Sequence, residues 1–505
     1  MATTKTLSEL INMDAPESPL EQGWWRRPSG GRAVVRLALP LVVSTASWTV
    51  MHVVDRIFLA SYSTSAVAAA MPAGVLHFAV LCLPLGIASY VTTFVAQYFG
   101  ADRKSRIGHV VWQGIFLGIG TFPLFLLLIP LSPTIFAHTG HPPNVIAQET
   151  LYFQAMAYGG AAAVISGALA GFFTGLGASR IVMFVDVGAS VLNVLLDYLM
   201  IFGVGWFPEM GISGAGWATS LAQWSKVAGY AAIMCLPEFH HSYRLLAGCR
   251  WDTPLMLRLL RFGGPAGVQM FLEVAAFTVL TFLMGRLGEV TLAATTVAFS
   301  VNAIAFVPMM GLGIAVSAMV GQQLGANRAE LAERATWTAM WLGGIYTGVM
   351  AVLYVAVPDI FLIAYSASRP EEFAEAAALT QVLLRFVAAY CVLDMAQIIF
   401  SSALKGAGDT RFVLATSAVI APLPALLGWV GLEYWGWGLY ALWYVMTGWI
   451  CLLCVCYYLR FQFGPWRRMR VIEAGPTDPP AVDLTGMFKP FDPLAVVASD
   501  EQTTR

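Results

Sequence analysis

The sequence predicts an all-α polytopic membrane protein whose twelve transmembrane helices form two six-helix lobes related by internal duplication. Three observations lead there. The chain of 505 residues is 58% hydrophobic and only 11% charged, with a mean hydropathy of +0.70; a soluble globular chain carries about 25% charged residues. At roughly 20 apolar residues per crossing, that length holds about a dozen spans. The second observation is a repeat. VAQYFGADR at Val95 to Arg103 returns as VGQQLGANR at Val320 to Arg328, and the same offset of 225 positions carries Arg36-Leu-Ala-Leu-Pro40 onto Arg261-Phe-Gly-Gly-Pro265. A third pair, GLGASR from Gly175 and GAGDTR from Gly406, agrees at an offset of 231. Third, basic residues gather in alternate loops, as a helix count of this parity requires. Parallel repeats of membrane helices are a common way to build two lobes around a central site.

The elements follow in order. The first span, 34–60, carries Pro40, His52 and Asp55; the second, 69–98, carries Pro72 and Pro84 and closes on the first copy of the repeated motif. The third, 109–133, follows Arg103, Lys104 and Arg106 and ends at the uncharged loop HTGHPPN, His138 to Asn144. The fourth, 146–174, runs into GLGASR; the fifth, 181–203, holds Asn193 and Asp197; the sixth, 213–236, opens on GISGAGWATS with Thr219. The second half begins with spans at 262–285, holding Pro265 and Glu273, and 291–323, holding Pro308 and the second motif copy. Spans at 335–363, 377–404 (with Tyr390 and Asp394), 412–430 and 437–460 complete the set. Each internal proline lacks a backbone donor and favours a kink. Pro40 lies fifteen positions before Asp55, so a bend there moves Asp55 relative to the fifth and sixth helices; a static kink is the plainer reading.

The domain reading is a head at 1–32, an N-lobe at 33–236, a linker at 237–261, a C-lobe at 262–460 and a disordered tail at 461–505, rich in Pro and Asp from Val471 onward. Loops holding Arg26, Arg27, Arg32, Arg103, Lys104, Arg106, Arg180, Arg244, Arg250, Arg258, Arg328, Arg334, Lys405, Arg411, Arg467, Arg468 and Arg470 all fall on one side. By the positive-inside rule that side, with both termini, is cytoplasmic, and the first span is too long for a cleavable signal. The expected location is the cell (inner) membrane, crossed many times. Trp24-Trp25-Arg26-Arg27 reads as an interfacial anchor or a plain disordered head. A net charge of −1 predicts no nucleic-acid partner. The seven cysteines read as small packing residues, since no His or carboxylate near Cys451, Cys454 and Cys456 completes a tetrahedral metal site.

An ionised group at the bilayer centre costs at least about 2.5–3.5 kcal/mol. Glu149, Asp186 and Asp359 fall within about two turns of span ends and read as interface residues. Four acids remain: Asp55, Asp197, Glu273 and Asp394. Asn193 and Asp197 are spaced i, i+4 on one helix face; with Asp55 and Thr219 they suit an oxygen-rich pocket for a small hard cation or a proton. Asn193 and Thr219 alone would serve equally as interhelical hydrogen-bond glue. Tyr390 and Asp394 repeat the i, i+4 spacing and, with Glu273, suggest a second acidic pocket; pairing of Glu273 or Asp394 with Arg385 is the competing reading. Taking a carboxylate out of water disfavours its charged form, which brings proton exchange towards physiological pH. The acids are not duplicated: the offsets carry Asp55 onto Leu280, and Asn193 and Asp197 onto Pro424 and Gly428. His52 reads better as a packing residue than as a proton relay. Met309, Met310, Met319 and Met395 with Phe271 and Phe306 fill a core or line an adaptable cavity.

Over about residues 30 to 460 the chain resembles the multidrug and toxic compound extrusion family, in particular its NorM-like bacterial members. The resemblance rests on MHVVDRIFLA, VAQYFGADR, VLNVLLDYLMIFG, GISGAGWATS, FLEVAAF, VGQQLGANR and YCVLDMAQIIFSSALKGAGDTR; Ala60-Ser61 stands where many relatives have glycine. It implies two six-helix lobes around a V-shaped cleft, and export of small organic, often cationic, compounds in exchange for Na+ or H+, with no cofactor beyond the coupling ion. Carried over, Asp55, Asn193, Asp197 and Thr219 resemble the family's N-lobe cation site, and Glu273, Tyr390 and Asp394 its C-lobe site, with Na+ a candidate at either. A monomer in the lipid bilayer is the expected state. The rivals are a lipid-linked oligosaccharide flippase on a related scaffold, which would want a basic cleft, and an intramembrane enzyme, for which no paired-aspartate, His-Glu-x-x-His or nucleophile-elbow motif appears.

Overall fold

The computed structural model describes residues 23–366 and 370–473. Among them lie twelve long helices: α1 (Gly31–Tyr62), α2 (Thr64–Gly100), α3 (Lys104–Ala137), α4 (Pro143–Gly175), α5 (Ser179–Phe202), α6 (Ile212–Met234), α7 (Thr253–Gly285), α8 (Glu289–Gly325), α9 (Ala329–Ala356), α10 (Pro370–Ala407), α11 (Thr410–Tyr434) and α12 (Leu439–Phe463). Eleven of them carry an uninterrupted apolar run long enough to span a bilayer. The exception is α6, whose run is broken by Ser220, Gln223 and Lys226. Odd-numbered helices all start from the end of the bundle that bears the arginine-rich loops, called the basic end below; even-numbered ones start from the far end.

Helix ends follow local chemistry and depart from the expected limits. Asp252 caps α7 by accepting from the Leu255 N–H at 3.0 Å, so the helix begins at Thr253, nine residues before the expected start, as an N-cap carboxylate favours. The expected ninth span, 335–363, breaks at Val357, whose backbone leaves the helical region (φ −138°, ψ 55°) ahead of Pro358, because proline crowds the residue before it out of the α conformation. A separate helix, Pro358–Ser366, follows. Pro422, which has no N–H to give, divides α11 into Thr410–Ile420 and Pro422–Tyr434, although Ala421 between them keeps helical dihedrals (φ −62°, ψ −33°). Pro40 does not interrupt α1, which runs unbroken through it.

The two halves meet along glycine-lined crossings. A Cβ at Gly86 of α2 would lie 2.3 Å from the Gly267 Cα of α7, so only glycine lets those backbones touch, the arrangement small residues provide in membranes. At the basic end the repeat becomes a pseudo-twofold contact. Gly100 packs against the Gln322 carbonyl and Gly325 against the Gln97 carbonyl, and these four are repeat-equivalent pairs. The Gln97 Nε2 donates to the Gly406 carbonyl at 3.1 Å, and the Gln322 Nε2 donates to the Gly175 carbonyl at 2.8 Å. Each repeated motif therefore reaches across to the far half, and the residues that revealed the duplication also hold the halves together. Asp102 and Asn327, again equivalent, both take left-handed backbone conformations (φ 55° and 57°), which Asp and Asn tolerate better than most side chains.

The expectation of a disordered tail from 461 is corrected for residues 461–473. After α12 a short 3-10 turn, Pro465–Arg468, seats Trp466, which is fully buried against Phe461. The chain then runs back under the bundle. The Val471 N–H donates to Gln97 Oε1 at 2.8 Å, and Val471 and Ile472 are buried. Glu473 receives Tyr98 Oη at 2.6 Å and Arg106 Nη2 at 3.2 Å on its carboxylate and Arg103 Nη1 at 2.7 Å on its carbonyl. Arg258 Nη1 of α7 lies 2.8 Å from the same carboxylate. Arg470 donates to Asn327 and Arg467 to Glu333. This strap touches both halves. The rest of the expected tail, and the head before residue 23, lie outside the described residues.

Candidate cation sites in the two lobes

In the N-lobe, α1 and α5 run in the same direction and bring Asp55 level with Asp197 near the far end. Both are buried, at 5% and 0% exposure, and they lie within electrostatic reach of each other. Asn193 takes the amide orientation in which its nitrogen donates to Asp197 Oδ2 at 3.0 Å and its oxygen accepts from the Thr219 backbone N–H at 3.2 Å. The i, i+4 spacing thus brings the amide and the carboxylate together. Thr219 takes part through its backbone N–H, which donates to Asn193. Tyr152 of α4 donates to Asp55 Oδ2 at 3.2 Å and stands beside both carboxylates. The remaining oxygens, Asp55 Oδ1 and Asp197 Oδ1, are buried without a hydrogen-bond partner.

In the C-lobe, Glu273 Oε1 accepts from Gln269 Nε2 at 2.9 Å and from Ser417 Oγ at 3.0 Å, and Ser417 is 2.8 Å from Tyr457 Oη. Asp394 lies within electrostatic reach of Glu273, with the buried Tyr390 alongside. The three residues the sequence grouped therefore do converge. Arg385 is exposed on the surface of α10 and pairs with neither acid.

The acids read as interface residues divide. Asp359 is exposed and accepts from Gln381 at 2.7 Å. Glu149 is fully buried, with His141 of the far-end loop folded over it at 2.7 Å. Asp186 is corrected outright: it sits inside the helix bundle, receives Tyr230 Oη at 3.0 Å and a hydrogen bond from Ser44 Oγ, and pairs with Lys226 at 3.3 Å. Tyr152, Gln269, Ser417, Tyr457 and Lys226 were not singled out from sequence. Gln269 was within reach, since it repeats the i, i+4 signature with Glu273; the tyrosines look like core residues until their hydroxyls are located.

What such a set can do follows from its donors. A buried acceptor left unpartnered costs about 1–3 kcal/mol, and two neighbouring carboxylates in apolar surroundings repel when both are ionised. A proton or a small hard cation relieves both, and carboxylate, amide and phenol oxygens are the ligands such a cation prefers.

The MatE family model matches twice, over residues 40–199 and 265–430, one match in each half. The probable multidrug resistance protein NorM of Bradyrhizobium diazoefficiens is 31% identical over 395 residues, covering 76% of this chain and 83% of its own length. The multidrug resistance protein PmpM of Pseudomonas aeruginosa is 29% identical over 404 residues, covering 80% and 83%. Among solved structures, the outward-facing conformation of a multidrug resistance MATE family transporter of the MOP superfamily superposes with a TM-score of 0.78 at 18% identity, over 86% of this chain and 95% of that one. With the family model matched across most of both halves, the chain belongs to the MatE family, the multidrug and toxic compound extrusion transporters.

Proposed function

We propose that this protein is a multidrug exporter of the inner membrane, a secondary transporter that expels small organic, often cationic, compounds as Na+ or H+ enters by alternating access. The basic end faces the cytoplasm, in keeping with the positive-inside rule. The observation that carries the reading is the pair of unpartnered carboxylate oxygens of Asp55 and Asp197, held out of water with no cation paired to either among the described residues. Membrane-buried acids without fixed counter-ions are expensive unless a mobile cation neutralises them. The names of the similar NorM and PmpM proteins support the multidrug cargo.

In the mechanism, Asp55, Asn193 and Asp197 hold the entering cation, with Tyr152 orienting Asp55 and the Thr219 backbone orienting Asn193. Glu273 and Asp394 form a second acidic station in the C-lobe, oriented by Gln269, Ser417 and Tyr390. Exchange requires that the cation bind one conformation better than the other, since equal affinity shifts nothing. Pro40, whose ring removes one helical hydrogen bond from α1, is the point at which that helix bends to carry Asp55 away from α5. The contacts across the basic end described above fit a cytoplasm-closed, outward-facing state.

The test is efflux of a fluorescent organic cation from proteoliposomes under an imposed Na+ gradient and, separately, an imposed pH gradient. Efflux driven by one gradient and lost in Asp55→Asn supports the reading. Efflux indifferent to both gradients, or undiminished in Asp55→Asn, removes its basis.

A further inference from the structure

On α5 the polar residues Asp186, Ser190, Asn193 and Asp197 recur at steps of four, three and four, so they line a single helix face. The facing stripe on α1 is Ser44, Ser47 and Asp55. The two stripes meet level by level. Ser44 donates to Asp186, Ser190 Oγ is 3.3 Å from Ser47 Oγ, and the Asn193–Asp197–Asp55–Tyr152 group closes the far end. Eleven residues of helix make this polar seam about 16 Å long. It runs from the cation site to a point two turns inside the basic end of α5. There it stops at an ion pair: Lys226 Nζ of α6 lies 3.3 Å from Asp186, with the two side chains only 14% and 15% exposed, and Tyr230 Oη of α6 is 3.0 Å from the same carboxylate.

We propose that the Asp186–Lys226 pair is the cytoplasmic gate of the N-lobe cation route, the station through which the coupling cation leaves the Asp55–Asp197 site. This rests on the antiport reading and adds to it a direction and a valve. A cation moving down the seam finds at Asp186 the next carboxylate able to receive it, and finds that carboxylate already neutralised by an ammonium. The positive charge of Lys226 repels the approaching ion while the gate is shut. Passage requires Lys226 to swing off Asp186, and its flexible four-carbon stem permits that without moving the helix. The charged and titratable groups around the gate are Lys226 and Tyr230 from α6 and, from α1, His52, which lies within electrostatic reach of Lys226. Between the two acidic stations the hydroxyls of Ser44, Ser47 and Ser190 relay a proton, or their oxygens, with that of Asn193, serve as ligands to a sodium ion.

The experiment uses the full-length chain in proteoliposomes without organic substrate. Sodium entry is read with a trapped sodium-sensitive dye under a Na+ gradient, and proton entry with a trapped pH-sensitive dye under a pH gradient, so the two arms distinguish which cation uses the gate. In the intact protein substrate-free flux is expected to be low. Lys226→Gln is expected to raise it about tenfold in one arm, the change that removing ~1.4 kcal/mol of barrier produces. Asp186→Asn is expected to keep ethidium binding in detergent while slowing gradient-driven ethidium efflux about tenfold. The double variant Asp186→Asn/Lys226→Gln leaves no unpaired charge and serves where the single variant fails to fold. A gate predicts that the double variant still leaks, whereas a purely structural pair predicts tight coupling once both charges are gone. Flux as tight as the parent's in Lys226→Gln and in the double variant overturns the gate while the antiport reading stands. Absence of gradient-driven efflux in the unmodified protein overturns the antiport reading, and the gate with it.

Discussion

Replacing Glu473 by glutamine keeps the shape of the strap and removes its charge. In the native contacts the carboxylate accepts from Tyr98 at 2.6 Å and from Arg106 at 3.2 Å, and lies 2.8 Å from Arg258. A hydrogen bond to a charged group contributes about 1.5–3 kcal/mol when sheltered. Here the Glu473 side chain is 36% exposed and the two arginines 38% and 32%, so solvent screening reduces the ionic part to about 1 kcal/mol or less. The sheltered share is the bond from Tyr98, which is fully buried. The expected loss is about 1–2 kcal/mol, a factor of about 5–30 in the equilibrium holding the strap down. The assay is thermal unfolding of the purified protein in detergent for the parent, Glu473→Gln, Tyr98→Phe and the double variant, at low and high salt. The double-mutant cycle should return a coupling of about 1 kcal/mol, and the Glu473→Gln effect should shrink in molar salt. Burial disfavours the ionised Glu473, but the Tyr98 bond and the arginine charges outweigh it and hold its pKa below the ordinary glutamate value. A depressed carboxylate stabilises fully above its unfolded pKa of about 4.3 and loses that contribution as pH falls through the lower native value. The parent should therefore lose part of its advantage over Glu473→Gln only below about pH 4.3. Identical unfolding temperatures at low salt, or zero coupling to Tyr98, would refute the reasoning.

Further outcomes follow from the same geometry. Asp55→Asn should fold normally and retain less than about a tenth of gradient-driven efflux, because the differential affinity that biases the two conformations is lost; unchanged efflux in a transport assay excludes Asp55 from coupling. Gln322→Ala strands the Gly175 carbonyl and should cost about 1 kcal/mol in thermal stability, whereas Gln97→Ala strands both the Gly406 carbonyl and the Val471 N–H and should cost about 2 kcal/mol. Equal costs would mean that the bond from Val471 to Gln97 adds nothing to stability. Gly86→Leu forces a side chain into the Gly267 backbone and should destabilise by at least about 1–3 kcal/mol, read as a lower unfolding temperature, while the same change at Gly120, which faces open space, should be nearly silent.

The spans were readable because membrane solvation imposes long apolar runs, and the duplication because VAQYFGADR and VGQQLGANR preserve a contact. Asp55, Asp197, Glu273 and Asp394 stood out for the cost of placing acids in lipid. Asp186 did not, since seven residues from the start of α5 reads as an interface until Lys226, on a different helix, is seen to meet it. Tyr152 is an aromatic in an apolar helix, and only its hydroxyl's partner separates it from core. The strap was hidden by averaging: Pro- and Asp-rich text governs the composition after Val471, whereas docking depends on a few residues, Trp466, Arg467, Arg470, Val471, Ile472 and Glu473.

Because Trp466 to Glu473 belong to the folded body, the fold continues past the last helix. A fluorescent protein or affinity tag joined at Arg470 would displace Val471 from Gln97 and Glu473 from its arginines, so it would report on an altered transporter; the same tag joined after Glu473 leaves those contacts in place.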